Sequence, residues 1–183
     1  MRVVRYSTRT LLLGMAAVCV FFSVVVVPAE KQRTTVKWIR DAGGEVGYHN
    51  GFNDNGMGRF GDHPKMPEWV LRYICHDYLA PIVYVQMHGQ HVTDKDVSRV
   101  ASLHKLRTLG LSSTGISDEG LSHIIHLPNL KYLSLGLTDI TDNGAKQLAQ
   151  MFALERLTLP NHISGETVAN LQNKLPNCSI LID

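Results

Sequence analysis

Cysteine is scarce in this chain, with only three among 183 residues. Cys19 lies in an apolar N-terminal segment, whereas Cys75 and Cys178 stand at opposite ends of a region of internal repeats. A disulfide framework of the kind that holds small secreted domains together needs paired, well-spaced cysteines. The sequence therefore argues against such a framework and predicts separate thiols.

An excess of charge of one sign is also missing. The formal net charge is +2, from 18 Lys and Arg against 16 Asp and Glu. The basic residues form no stripe along the sequence and do not alternate with aromatic residues, which is the pattern typical of nucleic-acid-binding proteins. The sequence thus predicts no nucleic-acid partner.

Signatures of catalysis and metal binding are lacking as well. The chain has no G-x-S-x-G motif, and no His and Asp partners can be assigned to Ser112-Ser113. His123 and His126 stand three residues apart, but no neighbouring repeat offers a further ligand in line with them. Asn53–Gly56 fails as a calcium loop because Gly51 would fall at the first ligand position. We therefore expect no catalytic residue, no metal and no cofactor, and expect that the protein is not an enzyme.

What the chain does contain is a pattern repeated four times between residues 92 and 183. The leading aliphatic residues are 24, 24 and 23 positions apart, and each is followed by a hydroxyl residue. Each repeat also carries a ladder of apolar residues, such as Leu127, Leu130, Leu133 and Leu135. The four starts are Val92-Thr93-Asp94, Ile116-Ser117-Asp118, Ile140-Thr141-Asp142 and Ile163-Ser164-Gly165.

Each repeat has the periodicity of one strand and one helix. The alternation in Leu133-Ser134-Leu135 is that of a strand with one buried face, and the residues after each start place apolar side chains at helical spacing. The hydroxyl residues are predicted to be helix N-caps, and the acidic residues after them add favourable charge to the first helical turn. We expect Asp94, Asp118 and Asp142 to have this capping role rather than to form a catalytic row.

The L-x-x-L-x-L ladder at a period of about 20 to 29 residues is typical of leucine-rich repeats. With its I-T-D-x-G-L start, the pattern resembles the cysteine-type repeats of F-box substrate adaptors and of short membrane-anchored bacterial repeat proteins. The resemblance covers residues 79–183, where Leu79, Ile82, Val85 and Met87 make an earlier, degenerate ladder. It implies an α/β fold, a right-handed solenoid of about five turns with one parallel sheet.

The N-terminus carries a membrane-directed segment. Thr10–Val27 is uncharged and strongly apolar, and three arginines precede it. Residues 1–29 are predicted to be an uncleaved signal anchor or, alternatively, a signal peptide cleaved after Ala29. We expect a single-pass membrane protein with the repeats on the extracytoplasmic side, and the alternative is secretion after cleavage.

Three further segments follow. Residues 30–66 are predicted to form a helix over Glu30–Ala42, which is a stalk or part of the cap, and a glycine-rich loop over 43–63. Residues 67–78 are predicted to be a helix that covers the first repeat, because they carry a helical apolar stripe of Trp69, Val70, Tyr73 and Ile74. Residues 79–183 are the repeat domain.

The outward strand residues are the predicted partner-binding site, because leucine-rich repeat proteins commonly bind through the concave strand face. Aromatic, arginine and small polar side chains suit a protein or peptide surface. The alternative is that these residues are ordinary solvent-exposed strand positions that bind no partner. The predicted binding residues are Tyr84, Gln86, His88, Thr108, Ser112, Tyr132, Ser134, Arg156 and Thr158, and Gly110, Gly136 and Pro160 are expected to face the same way.

The sequence therefore predicts a non-catalytic protein-interaction module, membrane-anchored or exported, whose partner is an unidentified protein or peptide. Three alternatives stay open. The first is a structural scaffold that tiles a membrane or envelope surface. The second is an adaptor subunit of an F-box-like degradation complex, and the third is a hydrolase whose site lies in the glycine-rich loop.

The membrane prediction can be tested by extraction. Because Thr10–Val27 is uncharged and about as long as the hydrocarbon core is thick, the full chain should stay in the membrane fraction after a carbonate wash. Immunoblots of pellet and supernatant give the measurement. A soluble mature product that begins near Glu30 would instead establish a cleaved signal peptide.

Overall fold

The computed structural model describes residues 27–48 and 81–183. Strands and helices alternate through the second range, as the repeat pattern predicts, and the short 3-10 helix Leu148–Gln150 extends the fourth helix. In chain order the elements are helix α1 (Val27–Asp41), strands β1 (Glu45–Tyr48) and β2 (Ile82–Gln86), helix α2 (Asp94–Val100), strand β3 (Thr108–Gly110), helix α3 (Asp118–Ile124), strand β4 (Tyr132–Ser134), helix α4 (Asp142–Gln147), strand β5 (Arg156–Leu159), helix α5 (Gly165–Lys174) and strand β6 (Ser179–Ile182).

The strands form one sheet in the order in which they occur in the chain. Strands β2 to β6 are parallel, and equivalent residues of successive repeats are paired directly. Leu109, Leu133 and Leu157 stand side by side in this register. The near-constant repeat length therefore stacks each repeat residue on its counterpart, and the expected α/β repeat fold is confirmed.

The sheet and the helices enclose one hydrophobic core. Leu109, Leu133 and Leu157 are at most 2 % exposed. Leu106, Leu130 and Leu154, which stand three residues earlier in each ladder, are also buried. Cys178 occupies that position in the last repeat. The predicted ladder is thus confirmed, and burial raises the pKa of the Cys178 thiol above its usual value.

Helix α1 and strand β1 cover the open edge of the first repeat. Strand β1 pairs antiparallel with β2, and Val36 and Ile39 of α1 are fully buried in the core. The Arg99 guanidinium lies 5.3 Å from the centre of the Trp38 ring, which adds a cation–π contact between α1 and α2. The helix predicted over Glu30–Ala42 is present with the bounds Val27–Asp41, and its buried residues make it part of the cap rather than a stalk. The loop predicted over 43–63 is wrong at 45–48, because the free edge of β2 supplies a partner that composition alone does not reveal.

Several predictions lie outside the described residues. They concern the segment before Val27, the rest of the glycine-rich loop, the helix at 67–78 with its covering role, and Leu79 in the first ladder. Across residues 27–48 and 81–183, the structure contains no helix with the length and apolar character needed to cross a membrane.

An aspartate ladder joins the helix starts of successive repeats. The Asp94 carboxylate accepts hydrogen bonds from the backbone N–H of Ser117 at 2.8 Å and from its hydroxyl at 2.7 Å. Asp118 accepts the same two bonds from Thr141, at 2.8 and 2.6 Å. These aspartates therefore bond to the next repeat as well as adding charge to their own helix, and the first of these roles was not anticipated from sequence.

The hydroxyl residues take part in both the ladder and the helix caps. The Ser117 hydroxyl oxygen accepts a bond from the Glu119 N–H, and that of Thr141 accepts one from the Asn143 N–H. One hydroxyl can donate and accept at once, so it satisfies an aspartate and a helix start together. The predicted N-caps are confirmed in α3 and α4, and also in α5, where Ser164 accepts a bond from the Thr167 N–H.

Two helical glycines make room for the ladder. A Cβ atom at Gly120 would overlap the Asp94 carboxylate, and one at Gly144 would overlap that of Asp118. Glycine within a helix costs about 1 kcal/mol relative to alanine. The D-x-G sequence is therefore a steric requirement, since each glycine receives the aspartate of the repeat before it.

The ladder changes at its two ends. In the first repeat, Asp96 occupies the position equivalent to Gly120 and Gly144. Its carboxylate accepts hydrogen bonds from the Thr93 N–H and hydroxyl at 3.0 and 2.9 Å. In the last repeat the aspartate position is Gly165, with open space around it. Asp142 still bonds the Ser164 N–H at 2.9 Å, and this bond holds the pKa of Asp142 below its usual value.

The buried ladder leads to a first stability prediction. Leu133 is 2 % exposed in the middle repeat, so Leu133→Ala should lower the free energy of unfolding by about 2 to 5 kcal/mol through lost burial and a residual cavity. Thermal and chemical denaturation of the two chains gives the difference. Wild-type melting in the variant would show that the repeat register is wrong.

A second stability prediction concerns the D-x-G pair. Gly144→Ala should destabilise the wild-type chain by displacing the Asp118 carboxylate. In an Asp118→Ala background the same change should become neutral or stabilising by up to about 1 kcal/mol, because alanine is the better helix former. Denaturant titration of the four chains measures this coupling energy.

Gly165→Ala is the matched control for that cycle, because nothing lies within 4 Å of the new Cβ atom. Its effect should be the same with and without Asp118. Additive effects of Gly144→Ala and Asp118→Ala would show that the aspartate does not need the glycine.

Candidate functional site

The sheet face that points away from the helices carries a shallow groove of about 210 Å³. Parallel pairing sets the outward residues of β2 to β5 side by side across it. Seven of the nine predicted binding residues line the groove, and they are Tyr84, Gln86, Thr108, Tyr132, Ser134, Arg156 and Thr158. The structure therefore brings these residues together, whereas their binding of a partner stays a prediction.

The other two predicted residues lie in the turns beside the groove. His88 Nδ1 lies 3.4 Å from the Ser112 carbonyl oxygen, and His88 Nε2 lies 3.3 Å from the Gln86 side-chain nitrogen. The Ser112 and Ser134 hydroxyl oxygens are 2.7 Å apart and share a hydrogen bond. Side-chain contacts thus link both residues to the groove wall.

Tyr132 is held in place by its neighbours. Its hydroxyl donates to Glu155 Oε2 at 3.1 Å, and Lys131 Nζ lies 2.5 Å from Glu155 Oε1. The Lys131 bond holds the pKa of Glu155 below its usual value, so the carboxylate stays ionised near neutral pH. On the other side, the Arg156 guanidinium carbon lies 5.7 Å from the centre of the Tyr132 ring. The tyrosine ring is therefore oriented before any partner arrives.

Thr108 lies between two tyrosines on the floor of the groove. It pairs with Tyr84 on one side and with Tyr132 on the other. Its hydroxyl oxygen is buried and makes no hydrogen bond within the part of the chain that the structure describes. Burial, and to a lesser extent the charge of Glu45, raise the pKa of Tyr84, so this tyrosine is neutral near pH 7.

A family model described as "Leucine Rich repeat" matches residues 102–124 and 126–149. These two ranges contain β3 with α3 and β4 with α4, the middle of the stacked array. Residues 102–124 and 126–149 therefore match leucine-rich repeats. No curated protein matches the chain significantly.

Two solved structures illustrate the similarity. The chain is 19 % identical to leiomodin-1 actin-binding site 2, with a TM-score of 0.47, over 55 % of this chain and 70 % of that one. It is 21 % identical to an internalin from Listeria monocytogenes str. 4b F2365, with a TM-score of 0.35, over 54 % of this chain. The match spans 34 % of the internalin chain. At this distance neither protein indicates what these leucine-rich repeats bind.

The prediction that three further residues face outward with the binding residues is wrong in one respect, because all three are buried. They are Gly110, Gly136 and Pro160. A Cβ atom at Gly110 would overlap the Gln86 side chain, and one at Gly136 would overlap the Asp183 carboxylate. Neighbouring side chains therefore cover the two glycines. At Gly110 the sequence signal for such covering is a glycine directly across the sheet from the long polar side chain of Gln86.

The histidines of the third helix lie away from the groove. His123 and His126 are exposed at the end of α3. Within the described parts of the chain, no three His, Cys, Asp or Glu side chains come together as a metal site. These two histidines consequently provide a matched control for the groove residues.

Proposed function

We propose that this leucine-rich repeat protein is a non-catalytic interaction module that binds a protein or peptide through the groove of the sheet. The observation that carries the proposal is the pre-oriented pair Tyr132 and Arg156, which belongs to the seven predicted side chains that line one surface. Tyrosine and arginine are the residue types that contribute most to protein interfaces. A ring already held by Glu155 and Arg156 loses less conformational entropy on binding.

The charge of the groove indicates what the partner carries. The Arg156 guanidinium lies over the Tyr132 ring, and it forms no ion pair with a carboxylate among the described residues. Lys131 is instead neutralised by Glu155. An exposed guanidinium on an aromatic ring suits a bidentate bond to a carboxylate. The proposed partner therefore presents an acidic side chain or a C-terminal carboxylate at this point.

The size of the sheet limits the footprint of the partner. Five parallel strands spaced about 4.8 Å apart make a face roughly 20 Å across. That width suits a short peptide or a single edge of a folded protein rather than a large obligate interface.

We further propose that the chain is held at a membrane through Thr10–Val27, with the repeats on the extracytoplasmic side. The support for attachment is the uncharged apolar sequence after Arg2, Arg5 and Arg9. Basic residues nearly balance on its two sides, so the orientation is supported instead by the order in which the chain emerges. Assignment to the cysteine-type repeats is part of the same proposal, supported by the I-T-D-x-G-L starts. Binding in this arrangement takes place beside a membrane, which bears on which surfaces stay accessible.

The groove is tested by a paired substitution. A partner captured by crosslinking pulldown of the anchored form should bind the Tyr132→Ala, Arg156→Ala variant at least about 2 kcal/mol more weakly, a loss of roughly 30-fold in Kd. The physical reason is the removal of both the ring and the guanidinium held on it. Titration with the purified partner measures Kd.

The matched control is His123→Ala with His126→Ala, which changes two exposed side chains on a helix and should leave Kd unchanged. The reverse pattern would move the binding site to the helices. An unfolded groove variant is recognised by circular dichroism, and Arg156→Gln then tests the guanidinium alone.

A further inference from the structure

Charges of opposite sign lie on opposite edges of the repeat array. The helix-start edge consists of the turns that lead from strands into helices and the first helical turns (residues 88–96, 112–120, 136–144 and 160–167). It carries the three ladder aspartates with Asp96, Glu119, Asp139 and Glu166, against Lys95 as its one Lys or Arg. The helix-end edge (residues 99–107, 123–131, 146–155 and 170–178) carries Arg99, Lys105, Arg107, Lys131, Lys146 and Lys174, against Glu155 as its one acid.

Helix dipoles account for only part of this segregation. Acidic residues in first turns and basic residues in last turns are favourable for any helix. Lys105, Arg107 and Lys131, however, lie beyond the helix ends in the loops that lead into strands, where the dipole effect has faded. The helix-end edge is therefore a basic surface in its own right.

The same edge presents an exposed aromatic side chain. Phe152 is 79 % exposed, more than any other large apolar residue in the described ranges. Pro128 and Pro176 lie 24 residues to either side, at the same place in the neighbouring repeats, and both are exposed. The edge thus combines a narrow apolar strip with basic side chains around it.

Helix α1 begins at this edge as well. Val27 and Lys31 of α1 line a groove of about 460 Å³ together with Leu103, His104 and Lys105 from the first helix-end loop. Val27 is 61 % exposed, and the uncharged segment Thr10–Val27 joins the described structure at this residue. The described structure therefore begins at the basic edge and not at the acidic one.

We propose that the helix-end edge lies on an anionic lipid surface, with Phe152 inserted among the headgroups and Lys105 and Lys174 against their negative charges. Aromatic side chains favour the membrane interface, and nearby lysines are attracted to anionic lipids. The inference rests on the membrane attachment proposed for Thr10–Val27 and not on partner binding. It assigns the edge that faces the bilayer, and it places the acidic helix-start edge away from the lipid.

The insertion of Phe152 is tested by tryptophan quenching. Phe152→Trp and Leu137→Trp are prepared in the full chain and reconstituted in vesicles of phosphatidylcholine and phosphatidylglycerol with brominated acyl chains. Leu137 is the matched control, because it is 58 % exposed on the opposite edge. Trp38 and Trp69 give the same background in both chains. Quenching at position 152 should exceed that at position 137 at least twofold.

The charge requirement is tested by two substitutions of the same kind. Lys105→Glu in the Phe152→Trp chain should reduce quenching in anionic vesicles at least twofold, whereas Lys95→Glu on the helix-start edge should leave it unchanged. Vesicles of phosphatidylcholine alone should abolish the difference between the two lysine variants.

Equal quenching at positions 152 and 137, or none at either, would overturn the inference. Loss of quenching together with salt-sensitive self-association of the chain would show that the basic edge meets the acidic edge of a second copy. Retention in the membrane after carbonate washing without the quenching pattern refutes the edge assignment alone. Release by carbonate with the pattern intact refutes the proposed anchor and leaves the edge assignment standing.

Discussion

Each repeat is tied to the next through one carboxylate, and much of the geometry depends on this bond. Asp94 and Asp118 reach across the gap between helix starts and bind both the N–H and the hydroxyl of the next cap. This fixes the spacing and the phase of successive helices, so the parallel strands on the other side of the core stay in register. The same bond requires glycine at 120 and 144, which explains why poor helix formers occupy fully buried helical positions.

Much of this fold could be predicted because its signals are local or periodic. The 24-residue period set the strand register, and hydroxyl residues before acidic ones marked the helix caps. The destination of the Asp118 carboxylate could not be read in the same way, because its partner lies 23 residues ahead and its own helix offers an equally good explanation. Strand β1 was missed because glycines around 45–48 indicate a loop, and only the free edge of β2 makes a strand favourable there.

Some features of the candidate site could likewise be predicted from the sequence, and others could not. Its members were predictable, because the period places Tyr84, Thr108, Tyr132 and Arg156 in one row. The way in which Tyr132 is held could not be predicted, since it depends on the side-chain conformations of Lys131 and Glu155, which directly precede neighbouring strands. Charge segregation was hidden for a different reason. Acidic segments at helix starts alternate along the chain with basic segments at helix ends. The two kinds of charge therefore cancel in any sequence window as long as one repeat.

The two ends of the aspartate ladder also determine which repeats are interchangeable. The repeat that begins at Ser117 both receives a carboxylate, through Gly120, and supplies one, through Asp118. A tandem duplication of this unit would create one new junction, between its two copies, and the aspartate bonds of the ladder would be preserved there. The first repeat has Asp96 in the receiving position and the last has Gly165 in the supplying position, so a copy of either placed inside the array would interrupt the chain of bonds. The array can therefore be lengthened by duplicating an interior repeat but not by copying either terminal repeat.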